Sequence, residues 1–267
     1  MLGKIAKNKL FIAGVAIIAP IAFLSIFAPL FCKYNPTDIN IENALLAPSW
    51  QHLMGTDSLG RDLFARMLYG GRVSLSVGFV AVGISVFIGV LLGAIAGFYG
   101  GWVDEAIMRF VDMMLCFPSF FLILTLAALS KPSIYLIMFI IGITSWMGPA
   151  RLIRAEVLSL KEQNFILAAK SLGLPQSRII FRHLIPNAIG PVLVNATLGI
   201  AAAILVESSL SFLGLGVQPP MPSWGNILTE AKSTLDVAWW ITLFPGAAIF
   251  LTVLGFNLIG EAVRDNL

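Results

Sequence analysis

Residues 73–98 read VSLSVGFVAVGISVFIGVLLGAIAGF, 26 positions without one charged side chain. At 1.5 Å of rise per residue this run reaches about 39 Å as a helix, more than the roughly 30 Å hydrocarbon core of a bilayer. Its apolar residues are continuous rather than alternating, which excludes a barrel strand. The whole chain agrees with this segment. Of 267 residues, 58% are apolar and 12% charged, and mean hydropathy is +0.91. The charged share is about half that of a soluble domain, and a water-soluble fold of this length cannot hide so much apolar surface. Nineteen Phe exclude a disordered chain, and two Cys exclude a disulfide scaffold.

Working outward, five further stretches have the length and apolarity of a crossing: Leu10–Phe31, Met113–Ser130, Ser133–Ala150, Ala188–Val206 and Val237–Gly260. The second and third of these are short, at 18 residues each, and the fourth is expected to continue past Glu207 to about Leu213. The expectation is an all-α integral membrane protein with six transmembrane helices. Lys4, Lys7 and Lys9 precede the first run as in a signal peptide. The run is 22 residues, longer than a signal's apolar core, so an uncleaved first helix is expected. Six crossings place both termini on one side. With that side inside, eleven of the seventeen Lys and Arg lie on the inner segments 1–9, 99–112, 151–187 and 261–267, as the positive-inside rule requires. Both termini are therefore expected in the cytoplasm.

The net charge of +3 is too mild to imply a nucleic-acid partner. Cys32 and Cys116 form no CxxC, and His52 and His183 stand alone, so neither a redox nor a metal site is expected. No GxxxxGK[ST] occurs, so the chain has no loop to cradle nucleotide phosphates. The absence of HExxH, GxSxG and paired intramembrane Asp argues against an intramembrane enzyme. A stand-alone secondary transporter or channel predicts inverted repeats and several intramembrane charges, and neither is visible.

The inner loop carries the functional argument. Residues 164–187 read NFILAAKSLGLPQSRIIFRHLIPN. Apolar residues at 165, 168, 169 and 172 share a helical face, and Gly173 followed by Pro175 marks a helix stop. Ile179, Ile180 and Leu184 predict a second short amphipathic helix closed by Pro186. On pattern alone the segment is either an amphipathic connector on lipid headgroups or a docking element for another protein. Ala168, Ala169, Gly173 and Pro186 stand at the offsets of the EAA loop of bacterial ABC-importer permeases, which the stretch resembles. Leu167 replaces the Glu of that motif, so no role passes to a carboxylate there, and Leu174-Pro175 departs from the small residues usual after the glycine.

Two more passages narrow the resemblance. HLMGTDSLGRD at 52–62, followed by Arg66 and YGGRVSL at 69–75, precedes the second crossing; SFLGLG at 211–216, Pro219, Pro220 and PSWG at 222–225 follow the fifth. Together the chain is similar to the C-type permease of the dipeptide/oligopeptide/nickel ABC importer family. The resemblance implies the type I importer permease (MetI-like) fold in a bacterial or archaeal plasma membrane. It divides the chain into residues 1–72, an N-terminal transmembrane helix with an extracytoplasmic loop, and 73–267, a five-helix core with its coupling loop at 151–187. It implies a homologous second permease, two cytoplasmic ATPases that hold ATP and Mg, and an extracytoplasmic binding protein. This chain itself would bind no cofactor and catalyse nothing. The coupling contacts would come from Leu167, Ala168, Ala169, Lys170, Leu172, Gly173, Arg178 and Pro186. Substrates carried by such permeases include dipeptides, longer peptides, antimicrobial peptides and nickel chelates.

Several residues keep two readings. Asp57, Arg61, Asp62 and Arg66 either pair on one helix or dock and gate at the outer face. Trp224 is an interface anchor or part of an aromatic belt. Glu207 lines the translocation path or is held structurally by Ser208 or Ser209, because an ionised group in a span must face protein or water. Asn195 faces the lumen or another helix. Gly89, Gly93 and Gly97 form GxxxGxxxG, a close helix contact within the bundle or between chains. Pro118, Pro149 and Pro245 kink or cap spans.

Overall fold

The computed structural model describes residues 7–131 and 133–266. Lys4, counted among the inner charges, lies outside them. Among the described residues there is no strand, only one isolated bridge between Thr56 and Asp62. Helix α1 is Lys9–Ile26, capped by the Asn8 side chain, and a short turn at Ala28–Phe31 extends it. Helix α2, Leu63–Tyr99, has 37 residues and reaches about 55 Å, well beyond the apolar run that announced it. Asp62 starts it by accepting the Ala65 N–H at 2.8 Å. The boundary drawn at 72/73 falls inside α2, so no linker separates the two parts of the chain.

The next two crossings are broken. Helices α3 (Gly101–Leu115) and α4 (Ser119–Ala128) meet at 78°, and α5 (Ile134–Ile143) and α6 (Met147–Leu160) at 40°. Residues 99–112, expected as a loop, are thus largely helical. Hydropathy undercounts α3 because Asp104, Glu105, Arg109 and Asp112 interrupt its apolar face. Pro118, which has no N–H and a fixed φ, ends it and opens α4. Neither partner of a pair is long enough to cross alone. Among the described residues four single helices have the length and apolarity for a crossing, and six crossings result if each bent pair counts as one. Helix α7 is Asn164–Ser171, α8 is Gly190–Phe212, α9 is Trp224–Ala231 and α10 is Trp240–Arg264. The expected extension of the fifth crossing is present, and α9 is a helix inside what composition presents as a Pro-rich loop.

Helix α2 is the axis. Helices α5, α6, α8 and α1 pack around it, and α10 closes the bundle against α1 and α8. The α2–α6 seam is the tightest. A Cβ on Gly89 would lie 2.7 Å from the Trp146 carbonyl oxygen, one on Gly93 2.3 Å from that of Ala150, and one on Gly97 2.9 Å from that of Arg154. The GxxxGxxxG run therefore serves packing within this chain. Asp104 and Asp112 of α3 pair with Arg154 and Arg151 of α6 at the same end. Two apolar clusters hold the ends: Ile153, Val157, Ile166, Leu184 and Val192 near α7, and Leu63, Trp224, Ile227 and Ile241 at the opposite end.

Candidate functional site

Helix α7 lies at the tip of the segment that joins α6 to α8. Ile166 and Ala169 point inward onto Ile179, Ile180 and Leu184. The opposite surface is apolar yet open: Phe165, Leu167, Ala168 and Leu172 are exposed, Leu172 at 80%. The face expected at 165, 168, 169 and 172 is thus divided, with Ala169 turned inward and the other three outward. Gly173 stops the helix at φ +70, a region that disfavours any side chain. Its N–H donates to Lys170 O at 3.0 Å and the Leu174 N–H to Ala169 O at 3.2 Å, a Schellman closure. No atom lies within 4 Å of a Cβ built on Gly173, so backbone conformation alone demands glycine. Lys170, exposed, lies 5.9 Å from the Phe98 ring centroid, and Arg178 is exposed beyond the turn.

The second amphipathic helix does not close at Pro186. It runs Gln176–Arg178, widens to a π-helical stretch at Ile179–Leu184, and continues as Ile185–Ala188 almost into α8. A proline in an α-helix has no N–H to donate and its ring meets the carbonyl four residues back; the wide turn before Pro186 relieves both.

Midway along the bundle a cavity of about 120 Å³ opens between α2, α5 and α8. Its polar lining is Ser85, Ser145 and Asn195; the rest is apolar or glycine, including Ala81, Val82, Gly199 and Ala202. Ser145 bonds back to Ile141 O at 2.7 Å. Glu207 does not line this cavity. It is fully buried one level higher, accepting from Ser211 Oγ at 2.7 Å and Ser74 Oγ at 3.3 Å. Of the hydroxyls expected to hold it, that of Ser209 donates to Leu205 O at 2.8 Å instead and that of Ser208 makes no hydrogen bond of good geometry; Ser74 comes from α2, 133 positions away, which a sequence pattern cannot show.

The end opposite α7 is braced by buried charge. Asp57 Oδ2 accepts from Arg61 Nε at 2.7 Å and also from Arg66 Nη1. Glu230 on α9 receives both arginines, Arg61 Nη2 at 2.9 Å and Arg66 at 2.6 and 2.8 Å. Arg66 is 2% exposed and Asp57 fully buried. Asp62, besides capping α2, accepts from His52 Nδ1 at 2.9 Å, and His52 stacks on Tyr34. Trp224 is buried and donates from Nε1 to Met67 O at 3.1 Å. These four predicted docking residues, Asp57, Arg61, Asp62 and Trp224, thus point inward, and the pairing partner that sequence reasoning missed is Glu230. The one local sign of α9 is the capping box of Ser223 and Asn226.

Residues 89–267 match the family described as the binding-protein-dependent transport system inner membrane component, and residues 2–48 match the N-terminal transmembrane domain of oligopeptide transport permease C. The chain belongs to the binding-protein-dependent transport permease family. Among its relatives, the dipeptide transport system permease protein DppC of Alkalihalophilus pseudofirmus is 46% identical over 99% of this chain and 87% of that protein. The oligopeptide transport system permease protein OppC of Bacillus subtilis is 40% identical over 99% and 87%, and that of Haemophilus influenzae 42% identical over 98% and 85%. This permease is accordingly a multi-pass membrane component of a transport system whose other functions reside on separate subunits, and its all-α bundle has the fold expected of the family.

Proposed function

We propose that this permease forms half of the path of an ABC importer for di- and oligopeptides, with a homologous second permease completing it. The relatives just named, all peptide permeases, favour peptides over nickel chelates as cargo. The α7 end faces the cytoplasm together with both termini. There Phe165, Leu167, Ala168 and Leu172 seat α7 in a groove of one of two ATPase subunits, with Lys170 and Arg178 on the rim. ATP and Mg act on those partners, not on this chain. Closure of the ATPases pushes α7, and the push reaches α6 as a rigid displacement, because Ile166 and Ala169 are locked to Val157 and Ile179 and because the glycine seam ties α6 to α2. The core 73–267 moves as the transport unit, and residues 1–72 add an outer buttress. Of the two residues first considered for the path, Asn195 faces it and Glu207 braces α8 against α2. The outer loop held by Asp57, Arg61, Asp62 and Trp224 presents its backbone side to the extracytoplasmic binding protein.

One observation carries this reading: an apolar helix face, open at the tip of the bundle and ended by a left-handed glycine stop, on a polypeptide that lacks a phosphate loop. The test places a cysteine at Leu172 in vesicles holding the complete transporter. A short bifunctional crosslinker is expected to join it to a nucleotide-hydrolysing subunit, and ATP-driven uptake of a labelled dipeptide to stop on crosslinking. Absence of that adduct in vesicles that transport would refute the docking assignment. Uptake of a nickel chelate, with no uptake of peptide, would refute the cargo.

A further inference from the structure

Arg72 directly follows the Gly70-Gly71 pair of α2, where a Cβ on Gly71 would strike Ser25 of α1. Its Nε donates to Ser25 O at 2.7 Å and its Nη2 to Ile26 O, the carbonyls left open where α1 ends. The guanidinium sits 5.4 Å from the centroid of the Tyr69 ring. Among the described residues no carboxylate lies within ion-pair distance of it, and its Nη1 makes no hydrogen bond, whereas Arg61, Arg66, Arg151 and Arg154 all have acidic partners.

The surroundings of this unpaired cation are apolar on two sides. Arg72 forms part of the wall of a groove of about 430 Å³ between α1 and α2, with Ala22, Ile26, Leu75 and Phe79. It is also in the wall of a second groove of about 500 Å³ between α2 and α5, with Val73, Ile134, Tyr135 and Met138. Ser76 and Val80 stand between the two and belong to both. The depth is given by the helix ends: Ser25 and Ile26 close α1, Ile134 opens α5, and Met221 at the second groove lies outside any helix. Arg72 is therefore at the headgroup boundary of the leaflet opposite α7, with each groove running from it toward the bilayer centre.

We infer that Arg72 and its two flanking grooves form a specific phospholipid site, with the lipid phosphate on the free edge of the guanidinium and an acyl chain in each groove. The charge complementarity decides the occupant. At the headgroup boundary the open edge of the guanidinium meets lipid phosphates, and a phosphate accepts its remaining N–H groups in the plane that arginine presents. Free phosphate would satisfy the charge and leave both apolar grooves empty; a lipid satisfies both features at once. The bound lipid would stiffen the junction of α1, α2 and α5 on the outer side, opposite the end that the ATPases move.

The assay is lipid retention on the whole transporter complex, delipidated in mild detergent, titrated with phosphatidylglycerol and read by native mass spectrometry. Retention does not depend on transport, so its failure leaves the transport assignment standing. The wild type is expected to hold one phospholipid per copy of this chain, and Arg72→Gln to weaken that binding about tenfold, the value of one charge-assisted hydrogen bond. Because Arg72 also ties α1 to α2, a second variant is needed. Val80 is exposed between the grooves, two turns from Arg72, so Val80→Trp fills them away from the bonds of Arg72 and is expected to weaken retention while the complex stays assembled. Equal retention by the wild type and Val80→Trp would overturn the inference. So would displacement of the lipid by inorganic phosphate alone, or a photocrosslinker at Met138 that captures a protein subunit instead of lipid.

Discussion

Adding one methyl group at Gly93 tests the route by which force travels through this bundle. The new Cβ would sit 2.3 Å from Ala150 O and 3.0 Å from Ala150 C and Cα, all backbone atoms that cannot rotate away. Ordinary contact begins at 3.4 Å, so α6 must retreat from α2 by about 1 Å. A gap of that size forfeits a quarter to a half of the dispersion energy of each atom pair across it, and the seam also includes Gly89 and Gly97. Overpacking of this kind costs about 1–3 kcal/mol, against a gain of at most about 1 kcal/mol from replacing glycine in a helix. Gly83→Ala is the control. It lies on the same helix with no atom within 4 Å of the added Cβ, so it receives the gain without the clash. Thermal unfolding of the purified complex should place Gly93→Ala several degrees below Gly83→Ala, at about 2–4 °C per kcal/mol. Because α6 leads directly to α7, dipeptide uptake per ATP hydrolysed should also fall in Gly93→Ala alone. Equal melting temperatures and equal coupling ratios in the two variants would refute the claim that this seam is a close-packed transmission line.

Other perturbations have distinct signatures. Gly173→Val forces a β-branched residue to φ +70 and should lose about 1–2 kcal/mol from the α7 stop; uptake should drop while membrane insertion, measured by the amount of chain in the membrane fraction, stays normal, and Gly173→Asn should retain much of the activity. Leu172→Asp places a charge on the exposed apolar face and should release the ATPase subunits on gel filtration without lowering the melting temperature of the permease. Glu230→Gln leaves Arg61 and Arg66 buried with Asp57 as their only acid and should destabilise by about 3 kcal/mol, as breaking a buried pair does; a calorimetric change under 1 kcal/mol would show the cluster to be well hydrated. Glu207→Gln should leave uptake within about twofold, since the side chain is fully buried away from the cavity, at a cost of about 1 kcal/mol for a weakened hydrogen bond, whereas Asn195→Leu should lower uptake without that loss of stability.

The crossings were legible because burial in lipid demands one thing of a residue, apolarity, and demands it over a continuous run. Leu10–Phe31 and Val237–Gly260 were found within a few residues of α1 and α10 on that ground. The break at Phe117-Pro118 was marked by its proline but its 78° angle was not, and the break at Thr144–Trp146, which contains no proline, was not legible, since hydropathy sums a window and is blind to direction. The α7 stop at Gly173 was readable because a Schellman closure is local: every atom it uses lies between Ala169 and Leu174. The inward turn of Ala169 was not, because it depends on Ile179 and Leu184 folding back beneath it.

The same division separates the two kinds of charged residue. Composition and runs of apolar side chains were sufficient to establish a helical membrane protein, its approximate spans and a protruding loop with a glycine hinge, because each of these is decided by neighbours in sequence or by the solvent. The pairing of Glu230 with Arg61 and Arg66, 169 and 164 positions away, the cage of Ser74 and Ser211 around Glu207, and the meeting of Gly93 with Ala150 exist only once α2 stands at the centre of the bundle. A charge or a glycine takes its meaning from what is placed within about 4 Å of it, and in a helical bundle those neighbours come from segments far apart in the chain.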